Sequence, residues 1–329
     1  MRDLPTRWGL SLPNRGVLFG LTTVDDLFAS ATLAEESGVF ESVWVGDSFI
    51  HKPRLDSIVM LSNLAARTRR VRLGTICMAT FPLRHPVELA IQWASLDHVS
   101  GGRAVLGACI GGGHEPELRA FGQTSRERAP RLEEGIALLR ALWSDGKVHH
   151  RGRFYTLEDY DILPKPVQRP CPIWIAVNPR RPLEGSPLVE RALERAIRLG
   201  DGYMTDAVAP DEFRRRWDFM QRVAQRQGRD LSGFETCIHG MININEDKQV
   251  AYEESKHYFQ EYYPLAPPSD EVIRTWLAYG APEECAVLLR EWLDMGISTP
   301  VLRFTGPDQL AQIRRFVEEV LPLVQEGAR

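Results

Sequence analysis

Val71–Gly113 reads V-R-L-G-T-I-C-M-A-T-F-P-L-R-H-P-V-E-L-A-I-Q-W-A-S-L-D-H-V-S-G-G-R-A-V-L-G-A-C-I-G-G-G. Two nearly continuous apolar runs, Val71–Thr80 and Arg103–Ile110, flank a helical pattern. Apolar runs without polar alternation predict strands covered on both faces, as in a parallel sheet. Working outward, six further runs alternate with helical patterns: Trp8–Leu12, Glu41–Gly46, Pro172–Val177, the weak Gly202–Thr205, Phe234–Asn243 and Pro300–Phe304. Eight strands, each followed by a helix, make an α/β fold of the (β/α)8 TIM-barrel type the economical solution, with an open doubly wound sheet as runner-up.

The helical patterns carry their own punctuation. Thr23 with Asp26 is a loose capping pair, Leu27, Ala31 and Ala34 form a stripe, and Gly38 ends that helix. Phe213, Trp217, Met220 and Ala224 share a face between Pro210 and Gly228. Cys285, Leu289 and Trp292 do so between Pro282 and Gly296, and Leu310, Ile313, Val317 and Val320 give the last helix its apolar side.

The chain reads as one barrel domain over residues 1–329, with insertions after the fourth helix (Ser144–Pro170) and after the seventh strand (Tyr258–Gly280). Both are expected to cover the active site. A net charge of −4 with scattered Lys and Arg argues against a nucleic-acid partner. Met1–Leu12 lacks a charged n-region ahead of an apolar run, and Val71–Phe81 is too short for a bilayer, so neither a signal peptide nor a membrane partner is expected. Cys77, Cys109, Cys171, Cys237 and Cys285 are odd in number and form no C-x-x-C. They predict small buried thiols in a reduced, cytoplasmic setting rather than disulfides or a zinc site. His149-His150 has no ligating neighbours in the sequence and reads as surface, not metal.

A barrel's chemistry sits at the C-terminal strand ends. Those ends are mostly small: Met78-Ala79-Thr80, Cys109-Ile110-Gly111-Gly112-Gly113 and Ala176-Val177-Asn178. Small side chains leave a slot into which a flat tricyclic ring fits, although the glycine run serves equally as a flexible turn. Asp47 at the second strand end is a candidate for ring orientation or proton transfer, against an N-cap or surface turn. His114 and Glu115 are candidate acid–base groups or solvated loop residues, and Asn178 before Pro179 is a cofactor ligand or a turn. No G-x-G-x-x-G, G-x-S-x-G, Walker loop or H-E-x-x-H is present. Residue by residue, the expectation is a barrel with a wide, uncharged mouth.

Val71–Gly113 resembles the signature stretch of the luciferase-like monooxygenases and F420-dependent oxidoreductases. S-V-W-V-G-D-S, R-L-E-E-G-I-A-L-L-R-A-L-W, G-R-F-Y with P-K-P-V-Q-R-P-C-P-I-W-I-A, A-I-R-L-G-D-G-Y-M, G-A-P-E-E-C-A and V-L-R-F-T-G-P-D are similar to further family segments in the same order. The resemblance implies a flavin or F420 cofactor with its ring against Met78, Ala79, Thr80, Cys109, Ile110 and Gly111 and its phosphate near the loop after strand five, where Asn178 is the candidate ligand; Asp47 and Glu115 are candidate acids. It also implies a non-prolyl cis peptide near Met78-Ala79-Thr80 and a homodimer.

Two departures stand out. Relatives often carry His after the strand-two acid, where this chain has Ser48; they often carry Gly-Gly after strand five, where it has Val177-Asn178. Serine is a poor general base at neutral pH, so the histidine's role does not carry over. Two mechanisms remain: a monooxygenase using reduced FMN and O2 on a small organic substrate, with a flavin reductase as supplier, or F420-dependent hydride transfer. The first is preferred on the general supply of FMN. A non-catalytic flavin-binding or partner subunit is a third reading, which the loss of the histidine fits.

Overall fold

A computed structural model describes residues 5–326; the single domain expected over 1–329 extends beyond them at both ends. Eight strands form the closed ring: β1 (Trp8–Leu12), β2 (Phe40–Asp47), β3 (Arg72–Met78), β4 (Ala104–Ala108), β7 (Ile173–Ala176), β8 (Gly202–Asp206), β9 (Glu235–Ile244) and β11 (Thr299–Phe304). Each is parallel to its neighbours, and β11 pairs with both β9 and β1, which closes the barrel and removes the open-sheet alternative. β5 (Val148–Arg151) and β6 (Thr156–Tyr160) make an antiparallel hairpin, and β10 (Leu277–Gly280) pairs in parallel with the far end of β9.

Between them run α1 (Val24–Ser37), α2 (Ser57–Arg67), α3 (Pro86–Ser100), α4 (Glu115–Ala120), α5 (Arg128–Trp143), α6 (Pro187–Leu199), α7 (Pro210–Arg226), α8 (Lys248–Tyr262), α9 (Asp270–Trp276) and α10 (Pro282–Asp294). α11 (Gln309–Arg315) passes through a π-turn into α12 (Leu321–Glu326). The start signals act as read: Thr23 and Asp26 form a reciprocal capping box on α1, and Gly38 closes it at φ 68°. The side chain of Asp56 caps α2 by accepting from the N–H groups of Ile58 and Val59.

The main core lies between strands and helices, where Leu10, Val43, Leu73, Leu106 and Ile173 meet the helix faces. A second cluster fills the barrel itself: Trp44, Val105, Trp174, Met204, Cys237 and Val301, with Ile76 and Ala176 packed on it. The rings of Trp44 and Trp174 stand 5.2 Å apart. Glycines make room for them, since a Cβ on Gly74 would lie 2.3 Å from the Trp44 ring. These two indoles block the lower barrel, and the cavity begins above them.

The far end is closed by charge. Glu235, at the start of β9, receives Arg72 of β3 at 2.7 and 2.9 Å, the hydroxyl of Thr299 at 2.9 Å and Arg7 at 3.4 Å. These partners hold the Glu235 carboxyl below its usual range despite its burial.

The insertions divide the roles assigned to them. Glu134 of α5 accepts the N–H groups of Arg153, Phe154 and Tyr155 and meets His150 Nε2 at 3.1 Å. That binds the β5–β6 hairpin to the side of the barrel, and none of its residues lines the cavities at the mouth. Only the second insertion covers the site, through Tyr263 and Trp276. Among the described residues no helix is long and apolar enough to cross a membrane.

Candidate active site

Two cavities open at the C-terminal strand ends. One, of about 240 Å³, is central and runs from Asp47, Cys77 and Thr80 across to His239, Trp276 and Arg303. The other, of about 630 Å³, lies outward between Cys109–Gly111, Val177–Arg181 and the start of α6. Ala176 and Asn178 line both, so the two cavities adjoin.

Asp47 is not a free acid. Oδ1 accepts the N–H and hydroxyl of Thr80 at 2.8 and 2.6 Å, and Oδ2 accepts Ser57 Oγ at 2.7 Å and Arg84 Nη2 at 3.1 Å. Four donors around a side chain only 2% exposed suit a carboxylate that pins the loop after β3. Glu115 is exposed at the start of α4 and lines neither cavity. The neighbour that does is Glu117, which turns inward and accepts the N–H groups of Ile50 and His51 at 2.7 and 3.2 Å.

The expected cofactor ligands sort into three groups. Ala79 and Thr80 line the central cavity; Cys109, Ile110 and Gly111 line the outer one; Asn178 faces both. Met78 lines neither, because strand alternation turns its side chain into the strand–helix core, where it is fully buried. The non-prolyl cis peptide joins Ile76 to Cys77, two residues before the expected place. β3 slips its register against both neighbours between Gly74 and Met78, and spacing alone does not reveal such a slip. Gly111, at φ 70°, lies so close to this bulge that a Cβ there would come within 2.2 Å of the Ala79 carbonyl oxygen. Two backbones meet there with no side chain between them, which joins the loops after β3 and β4 directly. Beside it, Cys77 and Cys109 bring their sulfurs to 2.6 Å. That contact, then burial, pushes the Cys77 thiol well above its ordinary value, so it is a protonated wall of the cavity.

The mouth is not uncharged. Lys52, Arg54 and Arg303 line the central cavity together with Asp206 and Glu117. Burial, then Arg54 and Arg15, lowers the Lys52 ammonium. Burial, then the neighbouring His114, lowers His51, whose ring stacks on that of His114 at 4.3 Å. Burial raises the Asp206 carboxyl even though Arg180 lies 2.9 Å away. His239 is buried with Nε2 free of any hydrogen-bond partner, and burial followed by Arg303 and Arg54 drives it well below the usual histidine value. It is a neutral imidazole in the wall of the site, with one nitrogen unpartnered. The Trp276 indole braces the strand behind it by donating to the His239 carbonyl at 2.6 Å.

Sequence reasoning passed over His51, Lys52, Glu117, His239 and Arg303. His239 and Arg303 sit inside strands read for their apolar character; alternation puts them on the inward face, and that was the available signal. Lys52 and His51 lie in the loop after β2, which carries no motif.

The family model described as "Luciferase-like monooxygenase" matches residues 8–299. An F420-dependent glucose-6-phosphate dehydrogenase of Kineococcus radiotolerans is 29% identical over 322 residues, covering 90% of this chain and 91% of the relative. One of Amycolatopsis mediterranei is also 29% identical, covering 90% and 93%. Among solved structures, an F420-dependent secondary alcohol dehydrogenase in complex with an F420-acetone adduct superposes with a TM-score of 0.80 at 21% identity, over 97% of this chain and 99% of that one. A monooxygenase from Streptomyces bottropensis has the same TM-score at 23% identity, over 96% and 99%. At these identities both likenesses concern the fold.

Proposed function

The chain belongs to the luciferase-like monooxygenase family, and we propose that within it this protein is an F420-dependent oxidoreductase that moves hydride to or from a small organic substrate. This replaces the preference for FMN and oxygen drawn from supply. The observation that carries the reading is the outer cavity, whose lining includes Arg126, Arg128, Arg180, Arg181 and Arg195, with Arg180 and Arg195 also paired to Asp206 and Glu133. The tail of F420 carries a phosphodiester and glutamate carboxylates, whereas FMN ends in one phosphate. A cavity lined by five guanidinium groups suits the longer, more anionic tail. The relatives named as F420-dependent support the same choice.

The residues present fit the cofactor. The slot bounded by Ala79, Ala176 and Gly111 would take the ring, and Cys109 and Ile110 would follow its edge into the outer cavity. Arg128 is held for the tail by donating to the Gly111 carbonyl at 2.7 Å. When bound, F420 supplies a two-electron hydride donor or acceptor that needs no oxygen. The protein's own part is to hold and move a proton. His239, a neutral residue of the cavity wall with Nε2 unpartnered, takes the substrate hydroxyl proton in the oxidative direction and returns it in the other. Ser48 and the clamped Asp47 have no share in that transfer. Trp276 and Tyr263 roof the cavity and exclude water.

The test is a titration of the purified protein with F420 and FMN, followed by absorbance and fluorescence. F420 is expected to bind at least ~10-fold more tightly, by about 1.4 kcal/mol. Tight binding of FMN alone, with oxygen uptake once it is reduced, would replace this reading with the monooxygenase one.

A further inference from the structure

Arg303 is a buried cation without an anion. It is 2% exposed, at the end of β11, and lines the central cavity. Nη2 donates to Ser11 Oγ at 2.7 Å and to the Leu12 carbonyl at 3.4 Å, Nε has no partner, and no carboxylate among the described residues forms an ion pair with it. Its aromatic neighbours are Tyr262, whose ring centre lies 5.0 Å away, and the neutral phenols of Tyr258 and Tyr263. A buried charge is ordinarily matched, because leaving water without a counter-charge is expensive.

The surroundings add positive charge instead. Arg54 lines the same cavity, donates from Nε only to the Lys52 carbonyl, and lies against Gly46, where a Cβ would come within 1.9 Å of its Nη1. Lys52 lines the cavity with its ammonium 5.4 Å from the centre of the Tyr263 ring. Arg15 stands behind them, 2% exposed, with Nε and Nη1 unpartnered. The acidic groups facing this space are already engaged: Asp47 with Arg84, Asp206 with Arg180, and Glu117 with the backbone of Ile50 and His51.

We infer that the central cavity binds a small substrate through an oxyanion, a carboxylate or a phosphate, held by Arg303 with Arg54 and Lys52. The inference rests on the proposed function only in calling the bound molecule the substrate, and it names that substrate's class. The outer cavity has arginines of its own for a cofactor's negative charges, so the central cations are left for the other reactant. A volume of about 240 Å³ is below the ~300–1,000 Å³ of drug-sized ligand sites, which limits the substrate to a few carbons around its charged group. The oxyanion on Arg303 places the rest of the molecule near His239, which lines the same cavity.

Calorimetric titration tests this with inorganic phosphate, pyruvate and, as the neutral control, acetone. Each is added to the protein without cofactor and again with F420 saturating. At least one anion is expected to bind at one site per chain in both forms, and acetone is expected to show no comparable heat. Which anion binds separates carboxylate from phosphate chemistry. Arg303→Met should lower that affinity about thirtyfold or more and Arg303→Lys by less. Thermal melts check folding; should Arg303→Met not fold, Arg54→Met takes its place with the same expected direction. The inference is overturned if neither anion binds, if the methionine variant binds as well as the wild type, or if F420 displaces the anion, since the cations would then belong to the cofactor. A protein that binds the anion but not F420 would sink the cofactor reading and leave this one standing.

Discussion

Thr80 gives both its backbone N–H and its hydroxyl to one oxygen of Asp47, at 2.8 and 2.6 Å. The acid at the end of β2 thereby fixes the chain leaving β3, the segment that would support the ring. Asp47→Asn keeps an acceptor for Thr80 but turns an amide toward Ser57 and Arg84, leaving Arg84 with less charge to meet. A loss of about 2–4 kcal/mol of stability is expected, with F420 affinity falling at least as much as turnover. Melting curves and fluorescence titrations measure both. Normal affinity with abolished turnover would return Asp47 to a direct chemical role.

Gly111→Ala probes the contact between the loops after β3 and β4. The new Cβ would stand 2.2 Å from the Ala79 carbonyl oxygen, at a φ of 70° that side chains rarely adopt. Stability should fall by about 1–3 kcal/mol and F420 binding should weaken. Equilibrium unfolding and cofactor titration of the variant check this; unchanged cofactor affinity would move the ring away from this slot.

His239 sets a pH dependence whose sign is fixed. Its folded value lies well below the 6.5 of an unfolded histidine, so the unfolded chain takes up this proton first as the pH falls. Stability is therefore lost on acidification below about 6.5, at up to ~1.4 kcal/mol per pH unit from this group. Urea unfolding between pH 5 and 8 should show the decline, and His239→Asn should flatten it. The same variant should lower turnover at pH 7 by about 10²–10⁴ with F420 affinity retained. Turnover at the wild-type rate would remove His239 from proton transfer.

Arg126 and Arg181 are exposed at the rim of the outer cavity. Replacing either with alanine should cost about 0.5–1 kcal/mol of F420 binding, more at low salt than at high. FMN, lacking the long anionic tail, should bind both variants as it binds the wild type. Titrations at two ionic strengths distinguish the cases.

The barrel was legible because its signals are local. Trp8–Leu12 is a strand with the boundaries read from its apolar run, Thr23 and Asp26 cap α1, and Gly38 ends it. The site was less legible because it is assembled from inward-facing residues far apart in the chain. Arg303 interrupts V-L-R-F as a single polar letter, and only the closed ring turns it toward His239 and Lys52. Glu115 and Glu117 are alike in sequence, yet the helix start leaves the first in solvent and buries the second. The small strand ends that suggested a neutral opening are present, but the loop after β2 and the inner faces of β9 and β11 bring charge over them.

Glu235, with its arginines, stoppers the opposite end of the ring, and the tilted indoles of Trp44 and Trp174 fill the passage above it. The protein is consequently a cup rather than a pipe. Substrate and product must use the same doorway, so a spent molecule obstructs its successor, and product inhibition competitive with the substrate is the expected consequence.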